Sequence, residues 1–278
     1  MQRGAVFLET AIVSLEFPVP DTEVIPGVRW GAIDAFPSPA YWAYQVLARR
    51  IQGDQINYKL GSTLKEEVGA CLLGGHGIPA SVGLEAFQHL KRKGAFDGEP
   101  PSEGVLFAWL SEPISSGSRM IHYRFARQKA KYLATALLKL SLELPPLDSG
   151  KALRDWLLGF PGIGYKTASW IARNWLDADD IAILDIHILR AGQLGGFFEQ
   201  TLTVERHYLQ LEQRFLQLSR GLGVRASELD ALIWLDMMSS AATVHGLLDQ
   251  RTSASQSGVK VRATEQRQSN PKQLILIG

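Results

Sequence analysis

Apolar positions recur at three- and four-residue intervals through most of the chain beyond residue 38, and nearly every such run begins at a recognisable helix start. Ser38-Pro39 predicts a helix over 40–50. Thr63 with Glu66 forms a capping box ahead of the apolar run 68–73, and Pro79 opens a helix that ends before Gly94. Ser102 starts a short helix to Trp109, and further helices are expected over 123–140 and 148–158. Residues 203–219 read as an amphipathic helix stopped by Gly221, and Ser227 with Asp230 caps a last helix through Met238. Residues 5–17 and 274–277 are short apolar runs that fit strands. The fold class is therefore mainly α, with short strands near the termini.

The pattern is densest between 149 and 176. Asp148, Ser149 or both cap a helix that carries Leu153, Trp156 and Leu157 on one face. Phe160-Pro161-Gly162-Ile163-Gly164 then makes a tight turn, and a second helix begins at once. In it Ala168, Ile171, Ala172 and Trp175 form an apolar stripe, which puts Lys166, Trp170 and Arg173 on a different face. Nineteen residues after Lys166 comes Asp185, in Leu184-Asp185-Ile186-His187.

Composition narrows the picture. At 278 residues and 46% apolar the chain holds a large core in one domain or two lobes. No apolar run reaches membrane-spanning length, and the first residues lack a secretory pattern, so an intracellular protein, cytoplasmic or nucleoid-associated, without a membrane partner is expected. The single cysteine, Cys71, excludes internal disulfides and any all-cysteine metal site within one chain, and reads as a buried small apolar residue. No cofactor is expected. Net charge is only +1, so any affinity for nucleic acid must come from local placement of positive charge. Arg119, Arg124, Arg127, Lys129 and Lys131 form such a run, without an acidic residue and interleaved with Tyr123 and Phe125. It reads either as a face tracking a DNA backbone or as a solvated helix face. Residues 250–272 are polar and basic without periodicity, as in a tail.

Backbone N–H groups around Gly162 and Gly164, at a helix start, suit a phosphate. A glycine-rich turn between helices is equally explained by sterics. Lys166 and Asp185 would supply an amine nucleophile and a carboxylate that stabilises a sugar oxocarbenium ion, provided that an apolar wall lowers the lysine pKa. Alternatively Lys166 is a surface lysine and Asp185 only the cap of a helix over 186–191.

Taken together, Gly-Ile-Gly-Tyr-Lys-Thr-Ala and the Asp185-Ile186-His187 element resemble the helix-hairpin-helix DNA glycosylase superfamily, and within it the 8-oxoguanine DNA glycosylase/AP lyases. The likeness is strongest over residues 153–192 and fainter over 62–139 and 226–240. It implies a two-lobed helical core over 31–249, with an N-terminal extension (1–30) and a tail (250–278). It also implies a bifunctional glycosylase and lyase that excises an oxidised purine, 8-oxoguanine first, through a lysine Schiff base and β-elimination. The partner would be duplex DNA with a flipped damaged base, and the enzyme a monomer. The endonuclease III and adenine glycosylase branches usually carry a four-cysteine cluster, which one cysteine cannot make.

The resemblance assigns further roles. A monovalent cation would sit on hairpin carbonyls, and His187 would contact a phosphate beside the extruded nucleotide or else be a packed histidine. His76, in Gly74-Gly75-His76-Gly77, would fill the gap left by the flipped base or be part of an ordinary turn; asparagines stand here in 8-oxoguanine relatives. Trp170 and Trp234 would wall the base pocket or belong to the core. Asp230 would accept a hydrogen bond from a purine edge or serve in its capping box. Two rival functions stay open: a glycosylase for another modified base, including one used in defence against foreign DNA, and a DNA-binding protein that kept the hairpin but lost turnover.

Overall fold

The computed structural model describes residues 1–53, 58–75, 77–116 and 119–250. The expected strand at 274–277, His76 and nearly all of the basic tail lie outside them.

Residues 5–17 form not one strand but parts of two. β1 (Gln2–Phe7) folds back on β2 (Ile12–Phe17), with Gln2 opposite Phe17 and Phe7 opposite Ile12. β3 (Glu23–Ile25) pairs with β4 (Val28–Arg29). α1 (Pro39–Gln52) follows, where Ser38 Oγ accepts the Tyr41 N–H at 3.0 Å. α2 (Leu64–Leu73) is capped by Thr63, but the capping box closes unusually: Glu66 Oε2 accepts from Ser62 N–H, one residue outside the cap. α3 (Ala80–Arg92), α4 (Glu103–Ser111), a small hairpin of β5 (Ile114–Ser116) and β6 (Arg119–Ile121), and α5 (Ala126–Leu142) come next. The expected basic helix face is thereby divided. Arg119 lies in β6 and Arg124 precedes α5, while Lys129 donates to Gly74 O at 3.0 Å.

α6 (Gly150–Leu157) and α7 (Tyr165–Leu176) flank the glycine turn, and α8 (Ile186–Gly195) follows Asp185. α9 (Val204–Leu222) runs through Gly221, which was expected to stop it, and ends at Gly223 in the left-handed conformation. Gly221 is needed for close approach instead: a Cβ there would stand 2.6 Å from Val24 O on β3. α10 (Ala226–Ser239) starts after Arg225, so Ser227 and Asp230 lie inside it and the expected capping box does not form. α11 (Ala241–Gln250) leaves α10 at 86°. No single helix among the described residues is long and apolar enough to cross a membrane.

Two apolar cores result. One gathers Phe17, Val28, Trp30, α1, the segment after Ile181 and α8 to α11, so the first thirty residues are packed into this lobe. The other runs from Val68 to Ile181 and holds α2 to α7, with Cys71 partly buried against it. The return crossing falls between Ile181 and Ala182, three residues before Asp185.

That crossing is held by buried polar groups. Glu212 Oε1 accepts from Ala182 N–H at 3.1 Å, and Asp230 Oδ2 accepts from Ile183 N–H at 2.9 Å. The Tyr208 hydroxyl accepts from Leu184 N–H and donates to Ala182 O at 2.9 Å. Both carboxylates also reach into the other lobe: Glu212 on α9 pairs with Arg154 on α6, and Asp230 on α10 pairs with Arg173 on α7 at 2.6 Å. Charges this deeply buried persist only when paired and hydrogen-bonded. Here each also fixes a backbone N–H of the segment that delivers Asp185.

Candidate active site and DNA interface

Ser149 Oγ accepts the Ala152 N–H at 3.1 Å to start α6, and Leu153, Leu157 and Phe160 are buried beneath the turn. Gly162 takes a φ of +82°, and a Cβ there would lie 2.3 Å from the Tyr132 ring on α5. Glycine is required at this point on both counts. Gly164 precedes α7 with no side chain capping the helix, so no side chain competes for the first N–H groups of α7, which are of the kind that suits an anion. A Cβ on Gly164 would meet nothing within 4 Å. Gly162→Ala should therefore cost about 1–3 kcal/mol in chemical denaturation, whereas Gly164→Ala should leave the midpoint nearly unchanged. The turn carbonyls are neutral oxygens of the kind that suit a hard cation. One of them, Phe160 O, already accepts from Ile163 N–H at 3.2 Å.

Lys166 stands in the first turn of α7, and its Nζ lies 3.1 Å from Asp185 Oδ2. The carboxylate serves two ends. Oδ1 accepts the N–H groups of His187 at 2.8 Å and Ile188 at 3.2 Å as the N-cap of α8, while Oδ2 is left to the lysine. The two sequence readings of Asp185, cap and partner of Lys166, are therefore both realised, on different oxygens. The expected apolar wall is missing: Asp185 is buried, but the Lys166 side chain is 53% exposed.

Trp170 lies one turn beyond Lys166 and is partly buried. Its ring and that of Trp234 on α10 each contact Tyr58, at 5.7 and 6.5 Å between centroids. Arg173, expected beside Lys166, turns inward instead and is buried against Asp230. This corrects the reading of Asp230 as a base reader. The residue is 1% exposed, and both its oxygens are occupied, by Arg173 and by Ile183 N–H. Burial pushes its carboxyl up, against the pull of Arg173. His187 is partly buried in the first turn of α8. Arg124 and Arg127 are exposed, stacked near Phe125 and Phe107 at 5.3 and 4.9 Å.

Sequence reasoning missed Tyr58, Glu67, Tyr208 and Glu212. Glu67 carried a signal, an acid followed by the apolar run Val68 to Leu73; it is fully buried, and Oε2 accepts the N–H groups of Leu60 and Gly61 at 2.7 and 2.8 Å. Tyr58 carried none, since it follows no periodic run.

A family model described as 8-oxoguanine DNA glycosylase matches residues 57–224, more than half of the chain and the whole of α2 to α9. The chain belongs to this family. Among curated relatives, the 8-oxoguanine DNA glycosylase/AP lyase of Methanocaldococcus jannaschii is 31% identical over 129 residues, covering 44% of this chain and 61% of that protein. One from Saccharolobus islandicus is 36% identical over 133 residues, covering 44% and 63%. The chain thus spans about three fifths of the length of these relatives. Two solved structures share the fold. The 8-oxoguanine DNA glycosylase of Thermotoga maritima has a TM-score of 0.50 at 21% identity, covering 70% of this chain and 95% of its own. That of Methanocaldococcus jannaschii has a TM-score of 0.50 at 24% identity, covering 70% and 91%. The matched span of this 8-oxoguanine glycosylase family member includes the hairpin, Lys166 and Asp185, but not Trp234. The mainly α, two-lobed architecture expected from sequence is the one observed.

Proposed function

We propose that this protein is a bifunctional DNA glycosylase/AP lyase that excises an oxidised purine, 8-oxoguanine being the first substrate to test. The observation that carries this reading is the 3.1 Å contact between Lys166 Nζ and Asp185 Oδ2 directly behind the phosphate-binding turn. A protein that kept the hairpin only to bind DNA has no use for an amine and a carboxylate aimed at one point. The names of the curated relatives support the same activity.

In this reading the N–H groups of the Gly162–Gly164 turn hold a phosphate, and Arg124 and Arg127 add charge along the backbone. DNA covers Lys166 and supplies the desolvation that the free protein does not. After giving up a proton, the amine attacks C1′ as the bond from C1′ to the base nitrogen breaks, and the base leaves with that electron pair and takes up a proton. The Asp185 carboxylate stabilises the positive charge on the sugar during this step. The sugar ring opens to give a Schiff base, which acidifies the C2′ proton; its loss expels the 3′ phosphate by β-elimination. Trp170 and Trp234 serve in this reading as the walls for the extruded base.

Borohydride trapping of the wild-type chain tests this on three duplexes, carrying 8-oxoguanine, an abasic site or undamaged guanine. A covalent adduct on 8-oxoguanine and on the abasic site, with none on guanine, is the expected result. An adduct on the abasic site alone would keep the lyase and transfer the glycosylase to another base. Salt-sensitive binding without any adduct would leave only the non-catalytic reading.

A further inference from the structure

Resting on that function, we propose that Tyr58 is a placeholder for the extruded base: its ring fills the slot between Trp170 and Trp234 in the DNA-free protein, and the base enters by displacing it.

Three observations lead here. The Tyr58 ring meets Trp170 at 5.7 Å with the planes tilted by 60°, and Trp234 edge-on at 6.5 Å, so one side chain occupies the aromatic surface of both tryptophans. These are the surfaces on which an unstacked base would regain its lost contacts. Trp170 lies one turn from Lys166, so one wall of the filled slot and the amine are carried by the same helix.

A polar atom beside the slot is left without a partner while tyrosine fills it. Arg173 Nε is buried and makes no hydrogen bond among the described residues, whereas the Trp170 indole N–H and the Glu67 carboxylate face each other. Arg173 stands 5.7 Å from the Tyr58 ring, and Glu67 holds the backbone two and three residues after Tyr58. A purine carries acceptors along its edges. A buried donor left unpaired beside a packed aromatic ring therefore fits a second occupant with a polar rim.

The third observation is room to move. Tyr58 also lines an open cleft of about 430 Å³ with Val46 and Arg49 of α1, Arg173 of α7 and Ala231 and Leu232 of α10. A ring leaving the tryptophans can rotate into that space without disturbing either core.

A site closed for most of the time weakens apparent affinity by the fraction open. The test is equilibrium binding of the full chain in a Lys166→Gln background, by fluorescence anisotropy at fixed salt. One duplex carries 8-oxoguanine, and the other a tetrahydrofuran abasic analogue, which has no base to insert. With the slot open about a tenth of the time, Tyr58→Ala should tighten the 8-oxoguanine duplex by about tenfold and leave the abasic duplex unchanged. Tyr58→Phe should match the parent because its ring still fills the slot, and Tyr58→Trp should bind the lesion duplex more weakly. Weaker lesion binding by Tyr58→Ala would make Tyr58 a permanent wall and overturn the proposal, as would an equal change on both duplexes. If the parent itself does not prefer the 8-oxoguanine duplex to an undamaged one, the substrate assignment fails first and the placeholder falls with it; that result is read before any Tyr58 variant is compared.

Discussion

Lys166→Gln should abolish both base excision and strand cleavage, by roughly three orders of magnitude or more in single-turnover rate, and should form no borohydride adduct while still binding DNA. The structure makes this substitution informative because Lys166 supports nothing. Its side chain is half in solvent, and among the described residues its one ion pair is with Asp185. Glutamine keeps much of the length and can donate to the same carboxylate, so the fold and the hairpin have no reason to change. The N–H groups proposed to hold a phosphate belong to the backbone and stay in place. An adduct surviving in Lys166→Gln would move the nucleophile to another amine and remove the basis for the mechanism.

Asp185 sharpens the same argument, since its two oxygens do different work. An asparagine at this position keeps an oxygen for the N–H groups of His187 and Ile188 and remains a good N-cap, but loses the charge that faces Lys166. Stability and chemistry are thus separable at one residue, which explains why neither sequence reading of Asp185 displaced the other.

What could be read from the chain beforehand follows from the range of the interactions concerned. The turn between α6 and α7 is specified locally: a serine cap, buried leucines on one face, a glycine at positive φ and the next helix directly after it. All of that lies within about thirty residues, so pattern and spacing sufficed. Lys166 and Asp185 could be paired because a known family places such residues together; periodicity alone left each with an ordinary explanation. Gly221 shows the opposite case. A glycine in a helical run resembles a stop, and only the approach of β3, nearly two hundred residues away in sequence, shows why the helix continues through it. Tyr58 was invisible for the same reason, since its neighbours Trp170 and Trp234 belong to distant helices.

Asp230 is the residue for which range matters most, and its substitution carries the second large expected effect. Asp230→Ala should lower stability by about 3–5 kcal/mol, measured by chemical denaturation, because it leaves the Arg173 guanidinium buried without its carboxylate and strips Ile183 N–H of its acceptor. A residue that merely read a base edge would show no such loss, since its removal would change affinity for the lesion and not the folding midpoint. Asp230→Asn keeps a carbonyl for the Ile183 N–H but removes the charge, so it should fall between wild type and alanine. The effect should also reach the chemistry. Glu212, Asp230 and the Tyr208 hydroxyl hold the 182–184 segment by successive backbone N–H groups, and Asp185 is the next residue along. At temperatures where Asp230→Asn is still folded, its single-turnover rate should drop while its affinity for an abasic duplex stays close to wild type, because the hairpin proposed to grip phosphate belongs to the other lobe. An Asp230→Asn variant with unchanged stability and a selective loss of lesion affinity would instead return this aspartate to the base pocket. The buried pairs, in this account, do more than join two cores: they set the position of a carboxylate that has to lie within reach of a lysine carried by the opposite lobe.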